Sequence, residues 1–271
     1  METTRPSDTV FAGSIPSIYD RFMVPLVFAP YAAAAAQRAQ PLAPRRILET
    51  AAGTGVLTEA LHAALPDAEI VATDLNQPML DQAAQRVRSD NVSFRQADAL
   101  ELPFEDEHFD LVACQFGAMF FPDKRRGHGE ARRVLRDGGR YLLVIWDSIE
   151  RNFATRVAGN ALAALFPDDT AAFYERLPFR YHDKAVLDQD LRSAGFSEVQ
   201  IETLELVSRA PSARDAAIAL TQGTPMRSEI EKRGPDALAR AADAAEQALR
   251  EFEGPNGFEA PMSAHIVTAT R

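Results

Sequence analysis

Between residues 46 and 146 short apolar runs alternate with amphipathic stretches, and this alternation restricts the possible folds more than any other feature of the chain. Residues 46–50 (RILET), 69–74 (EIVATD), 92–96 (VSFRQ), 109–115 (FDLVACQ) and 140–146 (RYLLVIW) read as five strands. Residues 56–65, 78–88 and 124–135 read as helices, the second with Met79, Leu80, Ala83, Ala84 and Val87 on one face. Pro66 closes the first helix, and Asp137-Gly138-Gly139 is a stop-and-turn signal after the third. Strands that alternate with helices give a mostly parallel sheet covered on both faces. A sixth strand at 199–207 and a last one at 265–270 extend the pattern. The expected fold is therefore α/β, a doubly wound, seven-stranded, mostly parallel sheet with helical cap insertions. Such sheets take ligands at the carboxyl ends of the strands, near the switch in strand order.

The flanks are organised differently. Residues 1–14 read as polar and loose, and 15–38 as helical pieces broken by Pro25 and Pro30 and ended by Pro41 and Pro44. Residues 150–185 read as helical with a loop at Pro167-Asp168-Asp169; 188–194 read as a helix stopped by Gly195. Residues 211–252 are helical, Ala-, Glu- and Arg-rich, and interrupted at Gly223, Pro225 and Gly234-Pro235. The expected organisation is N-terminal lid helices (1–40), a nucleotide-binding core (41–149), a cap insertion (150–185), a core helix and strand (186–210), a second insertion (211–260) and a last core strand (261–271).

Charge and composition narrow the function. The 271 residues carry 29 Lys plus Arg against 39 Asp plus Glu, a formal charge of −10, which argues against bulk electrostatic binding of nucleic acid. One cysteine, Cys114, allows neither an intrachain disulfide nor a cysteine zinc cage, and no metal site is expected. The N-terminal METTRPSDTV has no signal-peptide pattern, and the apolar segment 24–36 is too short and too proline-broken to span a membrane. A soluble, cytoplasmic protein is expected; a homodimer stays open.

The chemical signal is Glu49-Thr50-Ala51-Ala52-Gly53-Thr54-Gly55, which joins a strand to a helix. Gly53 and Gly55 permit a tight turn and close approach of a ligand to the backbone, and the helix behind them offers unpaired N–H groups. Asp74 ends the second strand 19 residues after Gly55, where a carboxylate can accept both hydrogen bonds of a ribose diol. Two nucleotide-binding classes fit. A nicotinamide or flavin enzyme wants a third small residue where Thr58 stands, and would place Glu49 against a pyrophosphate. A ligand with an ammonium, a sulfonium and one carboxylate suits Glu49 better.

Gln96-Ala97-Asp98-Ala99, Leu102-Pro103-Phe104, Phe109-Asp110-Leu111-Val112 and Val134-Leu135-Arg136-Asp137-Gly138-Gly139-Arg140 follow in order. With them the sequence resembles the class I S-adenosylmethionine-dependent methyltransferases, in the small-molecule branch that includes the ubiquinone and menaquinone biosynthesis methyltransferases. The resemblance covers residues 15–147 well and 186–208 loosely. It departs at Ala51, where the family usually has glycine; the added methyl is tolerable at negative φ.

The resemblance implies S-adenosylmethionine as cofactor and S-adenosylhomocysteine as product. It implies that Ala51 and Gly53 offer backbone groups to the methionine moiety, with Glu49 orienting its ammonium. Asp74 holds the ribose hydroxyls, with Leu75 and Met79 against the adenine. Asp98 takes the adenine amino group, and Ala99 touches the ring through its backbone. Gln115 sits near the methyl donor, and Tyr19, in a lid-like helix, reaches the cofactor carboxylate. Core packing of Met79 and Tyr19, and a cap role for Gln115, stay open as alternatives.

Methyl transfer needs a base only if the acceptor loses a proton. The weak candidates are His182 and Tyr181 in the segment after the fifth strand, and His265 at the start of the last; His108 and His128 lie in polar stretches expected to be exposed. Phe116, Phe120, Phe121 and Trp146 suit an aromatic or apolar small-molecule acceptor, or else pack the insertion helices. The expected function is methyl transfer to an O, N or C atom of a small organic acceptor. A non-catalytic S-adenosylmethionine binder and a nicotinamide-dependent oxidoreductase remain the alternatives.

Overall fold

The computed structural model describes residues 11, 13–167, 174 and 177–271. Strands β1 (Arg46–Thr50), β2 (Glu69–Asp74), β3 (Val92–Gln96) and β4 (Phe109–Gln115) occupy the spans read from the sequence. Strand β5 (Leu135–Trp146) starts earlier than expected. Phe109 pairs with Leu135 but Leu111 with Arg140, so residues 136–139 bulge opposite the single residue Asp110. Asp137-Gly138-Gly139 is thus part of an irregularity inside a strand, not a turn ahead of one.

The sheet order is β3-β2-β1-β4-β5-β8-β6. Strands β3, β2, β1, β4 and β5 are parallel, and β8 (Gly257–Thr270) runs antiparallel to β5. The two-residue β7 (Glu253–Gly254) pairs back on β8, so a short eighth strand joins the expected seven. Strand β6 (Ser197–Ala210) and β8 outrun their expected spans; the added part of β8 alternates buried Phe258, Ala260 and Met262 with exposed Glu259 and Pro261. The chain winds outward from β1 to β2 and β3, then returns to place β4 on the other side of β1. The order therefore reverses between β1 and β4, where open α/β sheets form a crevice.

One compact unit comprises Tyr31–Trp146, Tyr181–Leu204 and Ala264–Arg271. It contains β1 to β5, the adjoining parts of β6 and β8, and helices α3 (Val56–Ala64), α4 (Gln77–Arg86), α5 (Lys124–Val134) and α7 (Lys184–Ser193). Strands β1 and β4 form its centre: Ile47, Leu48, Leu111, Val112, Ala113 and Cys114 are fully buried, as strands covered on both faces should be.

The other unit takes in described residues up to Pro30, with Asp147–Arg180 and Glu205–Ser263. Helices α6 (Phe153–Leu165), α8 (Ala213–Gln222) and α10 (Ala237–Leu249) pack on one another through alanines, among them Ala154, Ala158, Ala216, Ala241 and Ala245, all buried. The short α9 (Met226–Glu231) lies between the breaks at Gly223-Pro225 and Gly234-Pro235. Most of the loop expected at Pro167-Asp168-Asp169, and most of the segment 1–14, lie outside the described residues.

The N-terminal helix corrects an expectation. Helix α1 (Ile15–Ile18), a π-helical stretch (Tyr19–Phe28) and α2 (Ala29–Ala39) follow without interruption. Pro25 lies inside the π-helical stretch, whose end is marked by the Ala29 N–H donating five residues back to Val24. A proline in an α-helix clashes with the carbonyl four residues before it. The wider turn relieves that clash at Pro25.

Candidate functional site

At the carboxyl end of β1 the chain turns sharply into α3. Ala51, Gly53 and Gly55 have φ of 54, 57 and 80°. The turn is pinned to β2: the Ala52 N–H donates to the Thr73 carbonyl (2.9 Å), and the Thr73 hydroxyl to the Glu49 carbonyl (2.9 Å). Helix α4 braces it from behind. Arg86 Nε donates to the Thr54 carbonyl (3.0 Å), and a Cβ on Gly55 would stand 2.9 Å from that of Ala83. Negative φ at Ala51 would have made its methyl harmless. It is positive, so this alanine occupies the left-handed region that favours glycine.

Two carboxylates converge on this turn. Glu49 is 1% exposed and accepts a 2.6 Å hydrogen bond from the Thr58 hydroxyl. Among the described residues no basic side chain pairs with it. Burial pushes its pKa up to about 8; the Thr58 bond opposes this and the nearby Asp74 adds to it. Asp74 accepts from the Gly53 N–H (Oδ2, 2.9 Å) and the Asn76 N–H (Oδ1, 2.8 Å). Burial raises its pKa too, against these hydrogen bonds. With its pKa at about 8, Glu49 is mostly protonated at neutral pH in the empty site, and an ammonium placed beside it would draw that proton off and pair with the carboxylate.

The adjoining strand ends continue the site. Leu75 follows Asp74 with 51% of its side chain exposed, and Gln96 Nε2 holds the Leu75 carbonyl at 2.8 Å. Met79 is buried on the inner face of α4. Asp98 is exposed after β3, with Oδ1 accepting from the Leu100 N–H (2.8 Å), and Ala99 beside it is half-buried. Gln115 ends β4 half-buried. Glu49, Ala51, Gly53, Gly55, Asp74, Leu75, Met79, Asp98, Ala99 and Gln115 thus all belong to the sheet-bearing unit, on the ends of β1 to β4 and the segments that leave them. Tyr19 belongs to the other unit, its ring stacked on Phe28 (4.9 Å) with Phe11 edge-on (5.9 Å).

Beyond β4, Phe116 also holds positive φ, 53°, and its ring stacks on Trp146 at 3.8 Å. Tyr31 meets both rings edge-on, at 5.5 and 5.7 Å, and donates its hydroxyl to the Leu204 carbonyl. Phe116, Phe121 and Trp146 are buried, and Phe120 half-buried.

The base candidates fall into two networks. His265 is buried; its Nε2 donates to the His182 carbonyl (3.0 Å), which can only accept, so Nδ1 takes the Thr203 hydroxyl proton (3.1 Å). Both ring nitrogens are engaged. The Tyr181 hydroxyl donates to Asp190 Oδ2 (2.8 Å) and meets His128 Nε2 (3.1 Å). Burial and Asp190 hold the Tyr181 hydroxyl well above the usual phenol range. His182 is half-exposed. His128 is fully buried rather than exposed, and burial lowers its pKa to about 4. Its surroundings, Lys124 to Arg133, are polar enough to hide the inward face formed by Gly127, His128, Ala131 and Val134. Thr58 was also not foreseen as the partner of Glu49, since only the helix geometry brings the two together.

Residues 47–139 match a family model described as a methyltransferase domain. A demethylmenaquinone methyltransferase of Clavibacter sepedonicus is 34% identical over 174 residues, 60% of this chain and 70% of that protein. The chain belongs to the S-adenosylmethionine-dependent methyltransferases. A ubiquinone/menaquinone biosynthesis C-methyltransferase of Pseudomonas aeruginosa is 33% identical over 168 residues, 57% of this chain and 66% of that one. The chain spans between 47% and 70% of the length of such curated relatives. The YcgJ protein of Bacillus subtilis shares the fold, with a TM-score of 0.56 at 21% identity over 88% of this chain and 98% of that one.

Membership decides between the two nucleotide classes that the glycine turn left open: the cofactor is S-adenosylmethionine. The residues present fit it: Glu49 is a buried acid with no basic side chain paired to it among the described residues, and its ionised form would suit the ammonium at the cofactor's methionine end. Among the described residues no cluster of side chains could hold a metal ion, and no helix is long and apolar enough to cross a membrane.

Proposed function

We propose that the protein methylates a carbon atom of a small quinol-type aromatic acceptor. The names of its relatives support the acceptor class. The observation that carries the site is the pair of buried carboxyl groups, Glu49 and Asp74, flanking the Ala51–Gly55 turn with no basic partner among the described residues. In this reading the backbone of Ala51 and Gly53 meets the methionine end, and Glu49 takes its ammonium. Asp74 takes the ribose hydroxyls with its remaining lone pairs. Leu75, exposed beside it, covers one face of the adenine, and Met79 backs that side from within α4. Asp98 and the Ala99 backbone take the adenine edge, and Gln115 stands near the reacting methyl.

When bound, the cofactor supplies an electrophilic methyl on a sulfonium, whose departure as a neutral thioether needs no acid. The protein's share is to align the acceptor carbon with that methyl and to exclude water. A quinol becomes a carbon nucleophile as its hydroxyl loses a proton, so a base is needed. The half-exposed His182, in the segment after β5, is the candidate for that proton.

The test is thermal unfolding with S-adenosylhomocysteine, followed by turnover with a demethylated quinol against an amine acceptor. Ligand at 100 times its Kd stabilises by about 2.7 kcal/mol, a rise of about 5 °C for a chain of this size. The rise is expected to vanish in Asp74→Ala. No rise in the wild type overturns the cofactor site, and transfer to the amine but not the quinol overturns the acceptor class.

A further inference from the structure

The loops that leave β1 and β4 touch at one point, and the residues there are the reverse of what their backbones call for. Ala51, at φ 54°, stands where glycine is conformationally favoured. Gly117, at φ −104° and ψ −42°, stands where any residue is allowed. What Gly117 lacks is room. A Cβ on it would lie 2.4 Å from the Ala51 Cβ and 3.0 Å from the Cys114 sulfur. Real Cβ atoms do not approach that closely, and neither obstacle is the tip of a long side chain that could swing away. Phe116, the neighbour of Gly117, is itself held at positive φ by its stack on Trp146, so the β4 loop has little freedom to retreat. Ala51 is similarly confined, between the end of β1 and the Ala52–Thr73 hydrogen bond.

We propose that Ala51 and Gly117 form an interlocking pair that sets the gap between the two strand-end loops, and that Gly117 is thereby a positioning residue for the methyl donor. One methyl group fills the contact. The chain carries it on the β1 side, accepting the left-handed alanine, and leaves the β4 side bare. The gap lies where the sheet order reverses, between the turn assigned to the methionine end and the loop that follows Gln115. A shift of a few tenths of an ångström there moves the reacting methyl relative to the acceptor. The inference rests on the cofactor placement given under Proposed function.

Three variants test it: Gly117→Ala, Ala51→Gly and the double A51G/G117A. Each is read for its melting temperature without ligand and for its S-adenosylhomocysteine Kd by calorimetry. Gly117→Ala is expected to weaken binding at least tenfold. The double variant, in which the methyl has only changed sides, is expected to bind within threefold of Ala51→Gly and to melt above Gly117→Ala. A Gly117→Ala protein that melts lower but keeps the wild-type Kd overturns the proposal, because its glycine would then be structural only. If Gly117→Ala does not fold, the double variant decides. Recovery of folding and binding supports the pair; no recovery makes the Cys114 sulfur the obstacle and overturns it. Asp74→Ala with an unchanged Kd would refute the cofactor placement itself, whatever the glycine variants do.

Discussion

Replacing Glu49 by glutamine should stabilise the empty protein and disable its cofactor site. In the folded chain the carboxyl loses its proton only near pH 8, whereas an ordinary glutamate does so at 4.5. Between those values the folded state holds a proton that the unfolded state has released. Stability is therefore drained as pH rises from about 4.5 to about 8, and the loss is complete above that. Each pH unit is worth about 1.4 kcal/mol, which gives about 3 kcal/mol at pH 7 and about 5 kcal/mol at pH 8 and above. Glutamine keeps the shape and an acceptor for the Thr58 hydroxyl but cannot ionise. The melting temperature of Glu49→Gln should thus pull ahead of the wild type by a margin that grows with pH. At about 2 °C per kcal/mol, the gap widens by roughly 8 °C between pH 5 and pH 8. Measured across that range, a gap of constant size would refute the buried, cation-free environment from which the argument starts. A calorimetric arm completes the test. Binding the ammonium of S-adenosylhomocysteine at pH 7 should expel nearly one proton, visible as a dependence of the binding heat on the buffer. The variant should show no such dependence and bind far more weakly.

Two further outcomes follow from the packing. Trp146→Ala removes the ring stacked on Phe116 and met edge-on by Tyr31, and should cost about 3–5 kcal/mol in denaturant unfolding; a cost below 1 kcal/mol would mean the cluster is not a packed core. His265→Ala strips the partners of Thr203 and the His182 carbonyl, and should cost about 2 kcal/mol. It should leave the shape of the pH–rate profile unchanged; loss of a limb of that profile would make His265 a base after all.

Local signals were legible in the sequence, and contacts between distant residues were not. Strands β1, β2 and β4 matched their expected spans because their mostly buried apolar runs are bounded by turn residues, and the edge strand β3 matched although only Val92 and Phe94 are half-buried. The same rule cut β6 and β8 short, since half-exposed strands alternate and their polar positions resemble loop. Pro25 signals a break in an α-helix, whereas the π-helical turn present here carries it. The glycine turn and Asp74 could be found from spacing along one βαβ unit. The Thr58 bond to Glu49, the bare approach of Gly117 to Ala51 and the burial of His128 depend on parts of the chain that meet only in the fold. A helix reading of Lys124 to Val134 by face rather than by composition would have found His128.

The placement of β8 between β5 and β6 has a consequence for synthesis. The ribosome delivers β5 and β6 well before the strand that separates them. Until residues 257–270 emerge, the Arg140–Trp146 stretch is an open, apolar sheet edge with its N–H and C=O groups unmatched. The nascent chain has two errors within reach: premature pairing of β5 with β6, and edge-to-edge capture by another chain. Completing the sheet means inserting a strand into a gap rather than adding one to a margin, a long-range closure of the slow kind. The aggregation-prone interval of this protein therefore falls between the synthesis of β5 and that of β8, with all the cofactor-turn residues already made.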